Sequence, residues 1–153
     1  MPNTTNTTNQ MKAEDFFLSL QMPEIPEEEY RKAEIVVSTI EAMSRTTYQS
    51  LYVIDYYKRN FLYVSDNPLF LCGHTAKEAK ELAYKFYLEN VSPGEQTMLI
   101  EIYKAGFDFY EQLSADEKPE YTISYDFHIL NGRNITLVNH KLTPILLTDN
   151  GKI

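Results

Sequence analysis

At 153 residues the chain has room for one globular domain, and its hydrophobic fraction of 43% is enough to build a core. The formal net charge of −8 opposes binding to nucleic-acid phosphates, and the basic pair Lys58 and Arg59 fits a solvated turn. No run approaches the roughly 20 apolar residues that cross a bilayer, and the Asn/Thr-rich start lacks a secretory signal. We therefore expect a cytoplasmic protein that binds neither membrane nor nucleic acid directly. The single cysteine, Cys72, rules out an intrachain disulfide.

The first third of the chain predicts a tail and then a long helix. Residues 1–13 are polar and repetitive, which is typical of a disordered tail, and residues 14–48 form a predicted helical segment. Within it, apolar residues recur at helical spacing from about 27 to 48. This helix needs a cover for its apolar stripe, either the outer face of a sheet or a second chain. We expect it to pack on the sheet and to contribute to a homodimer through Val36, Val37, Ile40 and Met43.

The middle of the chain predicts a hairpin followed by helices. Residues 51–57 and 61–64 are rich in β-branched and aromatic side chains and are separated by three polar residues, as in a β-hairpin. Asn67 then offers an N-cap with Pro68 at the first helical position, which predicts one short helical turn. Capping boxes at 75–78 and 92–95 predict a helix through Phe86 and a longer helix to about residue 113, followed by a charged loop at 114–119.

The last part of the chain predicts two long strands. Residues 121–130 alternate strictly between apolar and polar side chains, the pair Asn131 and Gly132 marks a tight turn, and residues 135–147 form the second strand. The alternation places His140 on the same face as Tyr125 and Phe127. A histidine on an apolar face is usually a core residue bonded to a neighbour and less often a ligand contact.

This order of elements resembles the PAS fold, and three motifs strengthen the resemblance: residues 67–78, 91–95 and 147–151. The resemblance implies an α+β domain over residues 49–153, with a PAS-like antiparallel sheet, short helices and a connecting helix on one face, preceded by the long N-terminal helix. The run that begins at Tyr48 is similar to the N-terminal PAS region of LuxR-type transcription regulators from Bacteroides-like bacteria.

That likeness implies a sensory module, the signal-input and dimerisation domain of a transcription regulator whose DNA-binding module is absent from these 153 residues. The alternative is a protein-interaction domain with a filled core and no ligand. An empty pocket between the connecting helix and the sheet would favour sensing, and a solid interior would favour the interaction domain.

Catalytic and metal chemistry have little support in the sequence. Cys72 and His74 flank a glycine, but no third group that would orient a nucleophile and its base is identifiable. Metal sites need three or four ligands, and the remaining histidines, His128 and His140, fall in the late strands. We therefore expect no catalytic residue and no metal site, so the protein is not predicted to be an enzyme.

The PAS resemblance also bears on cofactors. Flavin-binding members that form a photoadduct carry their cysteine in an Asn-Cys-Arg motif, whereas Cys72 lies between Leu71 and Gly73. Haem-binding members commonly take an axial histidine from the connecting helix, and residues 97–113 contain none. Neither flavin nor haem is supported, so no cofactor is identified.

An unknown small molecule remains a possible ligand. The site is expected between the inner face of the sheet and the helices of residues 67–113, because Tyr, His and Cys cluster there on otherwise apolar faces. Ordinary core packing explains most of the twelve tyrosines and eight phenylalanines equally well. The candidate lining residues are Phe70, Cys72, Leu99, Tyr103, Phe107, Tyr125 and His140.

The resemblance raises one further expectation, about the end of the sheet. In the PAS fold a fifth strand follows the turn corresponding to residues 149–151 and lies between the first and fourth strands. Only Lys152 and Ile153 remain here, too few to form it. We expect a chain truncated in its final strand, with the gap closed by a strand from another chain or by direct pairing of the first and fourth strands.

Overall fold

The computed structural model describes residues 11–17, 24–149 and 151. The first ten residues of the predicted disordered tail lie outside this part of the chain. The tail was predicted to reach residue 13, but Ala13 already begins a 3-10 helix and is half-buried. Within the described residues, no helix is both long and apolar enough to cross a membrane.

The protein is an α+β domain with helices and two small antiparallel sheets. The helical elements are the first 3-10 helix Ala13–Phe17, α1 Glu27–Ser44, α2 Pro68–Leu71, α3 Ala76–Leu82, α4 Lys85–Asn90, α5 Pro93–Glu111 and a second 3-10 helix Lys118–Glu120. The strands are β1 Tyr52–Asp55, β2 Asn60–Val64, β3 Ile123–Asn131 and β4 Asn134–Leu142.

The four strands form two separate hairpins. β1 pairs with β2, with a register shift between Val53 and Ile54, and β3 pairs with β4 in continuous register. Within the described residues neither hairpin has a ladder to the other, so the direct pairing of first and fourth strands that we considered does not occur there. The sheet of the N-terminal hairpin and that of the C-terminal hairpin must therefore be joined by side chains.

The last strand is shorter than the sequence predicted. β4 ends at Leu142, five residues before the expected end at Leu147. Pro144 follows closely, and proline both lacks an N–H donor and restricts the residue before it. The hydroxyl of Thr143 donates instead to the carbonyl of Tyr121, 3.2 Å away. The segment after β4 thus leaves the ladder and continues without a strand partner in the described chain.

Helix caps follow the predicted pattern at two of three positions. The side chain of Asn67 accepts a hydrogen bond from the N–H of Leu69, and Thr75 and Glu78 form a reciprocal capping box. The predicted box at Ser92 and Glu95 is wrong, because the Ser92 side chain makes no cap hydrogen bond. The Ser92 hydroxyl donates instead to the side-chain carboxylate of Glu95, over 3.1 Å.

The predicted helix through Phe86 is interrupted. Ala83 adopts a φ of 50°, which is unfavourable for a residue with a Cβ, and it divides α3 from α4. The break turns the next residues inward, so that Tyr84, Phe86 and Tyr87 are all buried. The one helix predicted through Phe86 is therefore two short helices, α3 and α4.

The core is aromatic. Its largest fully buried side chains come from β2, α4, α5, β3 and the short connections before α4 and α5. They are Phe61, Tyr84, Phe86, Tyr87, Val91, Leu99 and Phe127. The loop predicted at residues 114–119 also contributes an anchor, since Lys118 is buried and its Nζ donates to the carbonyl of Gly151 over 2.6 Å.

α1 lies on the N-terminal hairpin and is held by polar contacts at both ends. The hydroxyl of Tyr30 donates to Asp55 over 2.9 Å, and Ser44 bonds to the hydroxyl of Tyr63 over 2.7 Å. Lys58 lies 3.6 Å from the centre of the Tyr30 ring, a cation–π contact. The helix ends at Ser44, before the expected residue 48.

Phe16 anchors the first 3-10 helix in the core. Its ring is buried and contacts the rings of Tyr84, Tyr87 and Tyr103 at centroid distances of 5.4, 5.9 and 5.7 Å. We predict that Phe16→Ala lowers the free energy of unfolding by about 3 kcal/mol or more, because it removes a large buried ring and leaves a cavity. Urea denaturation measures this loss. Phe109→Ala, at a largely exposed ring on α5, is the control. Equal losses in the two variants would contradict an anchoring role for Phe16.

Candidate ligand cavity

A cavity of about 390 Å³ lies between α1, α5 and the two hairpins. α1 contributes apolar side chains such as Ala33 and Ile40, and α5 contributes Ile102 and Phe107 on the opposite side. Most of the surrounding side chains are apolar. Small-molecule sites are typically concave and mostly apolar, so this cavity is the candidate binding site.

The cavity extends between the two hairpins. From β1 it is lined by all four residues: Tyr52 and Ile54 also pack on the core, and Val53 and Asp55 are buried. On the other side it is lined by every residue of the segment 141–148. We call the part of the cavity between residues 51–57 and 141–148 the inter-hairpin slot.

A buried polar cluster lies beneath the slot. Tyr103 and Tyr125 line the cavity, and Tyr125 hydrogen-bonds through its hydroxyl to Nδ1 of His140 over 2.5 Å. Burial raises the pKa of Tyr103, whose buried hydroxyl has no hydrogen-bond partner among the described residues. Burial likewise raises the pKa of Tyr125. All of these phenols are therefore neutral at physiological pH.

His140 is a buried ionisable group of this cluster. Burial lowers its pKa to about 3, so the imidazole is neutral at physiological pH. The ring contacts Tyr52, Tyr125 and Phe127 at centroid distances of 5.1, 4.9 and 5.6 Å. The predicted orientation of His140 toward the face of Tyr125 and Phe127 is confirmed. Its Nε2 is buried and has no hydrogen-bond partner among the described residues.

Charged groups at the cavity are few and engaged. Asp55 is buried, and its carboxylate accepts from the hydroxyl of Tyr30 and from the backbone N–H of Lys58. Burial, followed by the hydrogen bond to Asp55, raises the pKa of Tyr30. Glu29, also on the lining, pairs with Lys32 over 2.6 Å. Both carboxylates therefore have donor partners, and Lys141, the remaining charged residue of the lining, is exposed to solvent.

The structure places the seven predicted lining residues in two groups. Tyr103, Phe107 and Tyr125 line the cavity, and His140 lies directly behind Tyr125. The other three belong to the packed core on the far side, where rings and aliphatic side chains meet; they are Phe70, Cys72 and Leu99. The predicted pocket is thus displaced toward α1 and the strand edges.

Cys72 is a packed thiol. It caps α2 in a left-handed conformation with a φ of 52°, and its Sγ donates to the carbonyl of Phe70 over 3.3 Å. Burial raises its pKa to about 11, so the thiolate is scarce at neutral pH. His74 bonds weakly to Asn90 at 3.5 Å. These contacts account for both residues without a chemical role.

The candidate dimer residues divide between two faces of α1. Ile40 and Met43 line the cavity, while Val36 and Val37 are half-buried. Met43 is also 57% exposed to solvent. Ile35, which was not among the candidate dimer residues, is 71% exposed. The sequence did not identify Ile35, because the helical stripe alone does not show how α1 is rotated on the hairpin.

Sequence reasoning missed two walls of the cavity: α1 and the segment 143–148. The signal for the second was Pro144, which ends the ladder early and leaves the following residues beside the slot.

Within the described part of the chain, no group of three or more His, Cys, Asp or Glu side chains is arranged to hold a metal ion.

No protein-family model, curated protein or solved structure matches this chain. The case for a function therefore depends on the residues and the geometry of the cavity.

Acid should destabilise the domain through His140. Its folded pKa of about 3 lies below the ordinary 6.5, so the unfolded chain binds a proton that the folded chain excludes. The contribution to stability is fully present above about pH 6.5 and falls by about 1.4 kcal/mol per pH unit as the pH drops toward 3. Urea denaturation between about pH 7.5 and 5.5, above the range of ordinary carboxylates, measures this slope. We expect His140→Gln to flatten it, and an unchanged slope in that variant would refute the assignment.

Proposed function

We propose that this chain is a sensory module of PAS type, the signal-input and dimerisation domain of a LuxR-type transcriptional regulator. The order of elements supports it: a hairpin, short helices, the connecting helix α5 and a second hairpin. The Asn67 cap and the Thr75–Glu78 capping box, both within the PAS-like motif of residues 67–78, add support. The DNA-binding module of such a regulator is not among these 153 residues.

The observation that carries the sensory proposal is the apolar cavity with a polar floor. Apolar walls favour the body of a small molecule, and a few convergent hydrogen-bonding groups fix its orientation. Here Tyr103 and Tyr125 line the cavity, and the hydroxyl of Tyr125 bonds to His140 at its edge. Because the phenols and the His140 imidazole are neutral, the expected ligand is a small, largely apolar, uncharged molecule with one hydrogen-bonding group.

A second candidate function is a protein-interaction domain with a filled core. The packing around Phe70 favours it, since that ring meets Tyr52, Phe86 and Tyr87 at 5.6, 5.1 and 6.3 Å. This packed core contains Phe70, Cys72 and Leu99, three of the predicted pocket residues that do not line the cavity. The two functions differ in whether a small molecule binds between α1 and α5.

Filling the cavity should abolish small-molecule binding. Ala33 is buried on α1 and lines the cavity, so Ala33→Leu places three more carbon atoms in the ligand's space. Ala42→Leu, at an exposed position of the same helix outside the lining, is the matched control. Native mass spectrometry of protein from its own host detects a co-purifying molecule, and thermal shift with indole and p-cresol provides defined probes.

We expect the probes to stabilise the native protein and the Ala42→Leu variant, and to lose about tenfold or more in affinity on Ala33→Leu, since the ligand meets a filled site. Retained binding in Ala33→Leu would place the ligand elsewhere. Absence of any bound molecule and of any shift in the native protein would favour the interaction domain.

Dimerisation is proposed to use the exposed face of α1. Exposed apolar groups on a helix favour association, and Ile35 is the most exposed of them, at 71%. We predict that Ile35→Asp shifts the sedimentation coefficient toward the monomer without a change in melting temperature. Leu137→Asp on β4, at a side chain 60% exposed, is the control for added charge. A native protein that sediments as a monomer at high concentration would rule out this interface.

A further inference from the structure

We propose that residues 143–148, which we call the strap, form a gate on the ligand cavity that is latched by Lys118. The ammonium of Lys118 bonds to the carbonyl of Gly151, close beyond the end of the strap. When that bond breaks, the strap is released from the cavity and opens it. The inference rests on the proposed sensory function for its purpose, since it names how the site is reached. Its main test measures the strap itself and needs no ligand.

The strap is one wall of the cavity and is fixed at both ends. Every one of its residues lines the cavity. At its start, the hydroxyl of Thr143 donates to the carbonyl of Tyr121 over 3.2 Å. At its end, the carbonyl of Thr148 accepts from the N–H of Gly151 over 2.7 Å. Loss of the attachment at Gly151 therefore frees one end of a wall and leaves the other in place.

The middle of the strap is outside the packed core of the described chain. Leu142, the last residue of β4, packs against the core, whereas the apolar residues 144–147 are not among the side chains that do so. Ile145 and Leu146 are also 45% and 36% exposed. Segments with few buried apolar contacts open locally at a lower free energy than the whole domain. Displacement of the strap thus leaves the core intact.

The latch joins the end of the strap to the start of the second 3-10 helix. Lys118 is only 5% exposed, and its Nζ donates to the carbonyl of Gly151 over 2.6 Å. Gly151 also fits tightly against Ala115, because a Cβ at residue 151 would lie 2.9 Å from the Cβ of Ala115. Its φ of 70° is a left-handed conformation that glycine adopts readily. A hydrogen bond and a close contact therefore act at the same point.

The closed latch is a balance of opposing contributions. An ammonium has three donors, and within the described residues that of Lys118 has one acceptor and no carboxylate in an ion pair. Burial of a charge without an opposite charge costs free energy, because hydration is lost. Opening returns the ammonium to water and offsets the loss of the bond to Gly151. The difference between closed and open states is therefore small, as a gate requires.

A single tryptophan can report on the strap, because the chain contains none. Leu147 lines the cavity and is half-buried near the latch, so Leu147→Trp is the reporter. Excitation at the red edge selects tryptophan over the many tyrosines, and acrylamide quenching measures how exposed the strap is to solvent. The full-length chain with this one change is the reference, and the variants are made in it.

Lys118→Met removes the donor of the latch and keeps a side chain of similar length in the buried site. We expect the quenching rate constant to rise about twofold or more, because opening is local and the latch is lost. The melting temperature should not fall, since replacing a buried charge by an apolar group is often neutral. Lys104→Met, at an exposed position of α5, is the matched control and should quench like the reference.

Gly151→Ala tests the latch from its other side. The added Cβ would press on Ala115 and strain a positive φ. Gly132→Ala is the matched control, since its φ of 58° brings similar strain but its Cβ would meet nothing within 4 Å. We expect higher quenching in the first variant and reference quenching in the second.

Release of the latch should also speed the entry and exit of a small molecule. The probe is p-cresol, whose own NMR line shapes give its exchange rate on protein that retains Leu147. We expect Lys118→Met to raise this rate about twofold or more, because the open state is visited more often. Lys104→Met should leave the rate unchanged.

The outcomes separate the gate from the sensory function. Unchanged quenching in Lys118→Met overturns the gate, and so does an equal rise in Lys104→Met. A rise with a parallel fall in melting temperature also overturns it, because Lys118 would then support the whole domain. Higher quenching with an unchanged p-cresol exchange rate would show that the strap does not control entry. Failure of p-cresol to bind any of these proteins would count against the sensory function, and quenching would still decide whether the strap is latched.

Discussion

The contact between Tyr52 of β1 and His140 of β4, at a centroid distance of 5.1 Å, is the interaction on which the domain depends, since no backbone ladder joins its two hairpins in the described chain. Tyr52 also stacks on Phe70 at 5.6 Å, which extends the contact to the helices. The packing of rings depends less on direction than the hydrogen bonds of a β-ladder do. The free energy that it contributes is roughly proportional to the apolar area removed from water. The hairpins are therefore held at their inner faces and remain separated at the slot.

This manner of joining explains why so many polar tips are buried. Tyrosine brings a large apolar ring with a hydroxyl that must find a partner, and in this core the hydroxyls of Tyr103 and Tyr125 and the imidazole of His140 converge at one place. A core of phenylalanine would pack equally well and carry no such cluster. The polar cluster costs stability through desolvation unless every group is bonded, and neither Nε2 of His140 nor the hydroxyl of Tyr103 has a partner among the described residues. The arrangement suits recognition better than maximal stability.

Local signals predicted much of the fold. The strict alternation of β3 placed Tyr125, Phe127 and Ile129 in the core, and the caps at Asn67 and Thr75 use only neighbouring atoms. The predictions that differ from the structure all depend on contacts between residues far apart in the sequence. At Ser92 the hydroxyl donates to the carboxylate of Glu95 and not to a backbone group, and that carboxylate also bonds to His128, 33 residues away, at 2.9 Å. The cavity was misplaced because its position depends on how α1 is rotated over the hairpin, which Tyr30 and Asp55 fix across 25 residues.

Polar contacts at the two ends of α1 determine where the cavity lies. The hydroxyl of Tyr30 donates to Asp55 near one end of the helix, and Ser44 bonds to the hydroxyl of Tyr63 at the other. Ala33 lies between these contacts and lines the cavity. Both contacts join α1 to the N-terminal hairpin, and no ladder joins that hairpin to the C-terminal one in the described chain. The opposite wall of the cavity is therefore positioned by side-chain packing and not by backbone pairing.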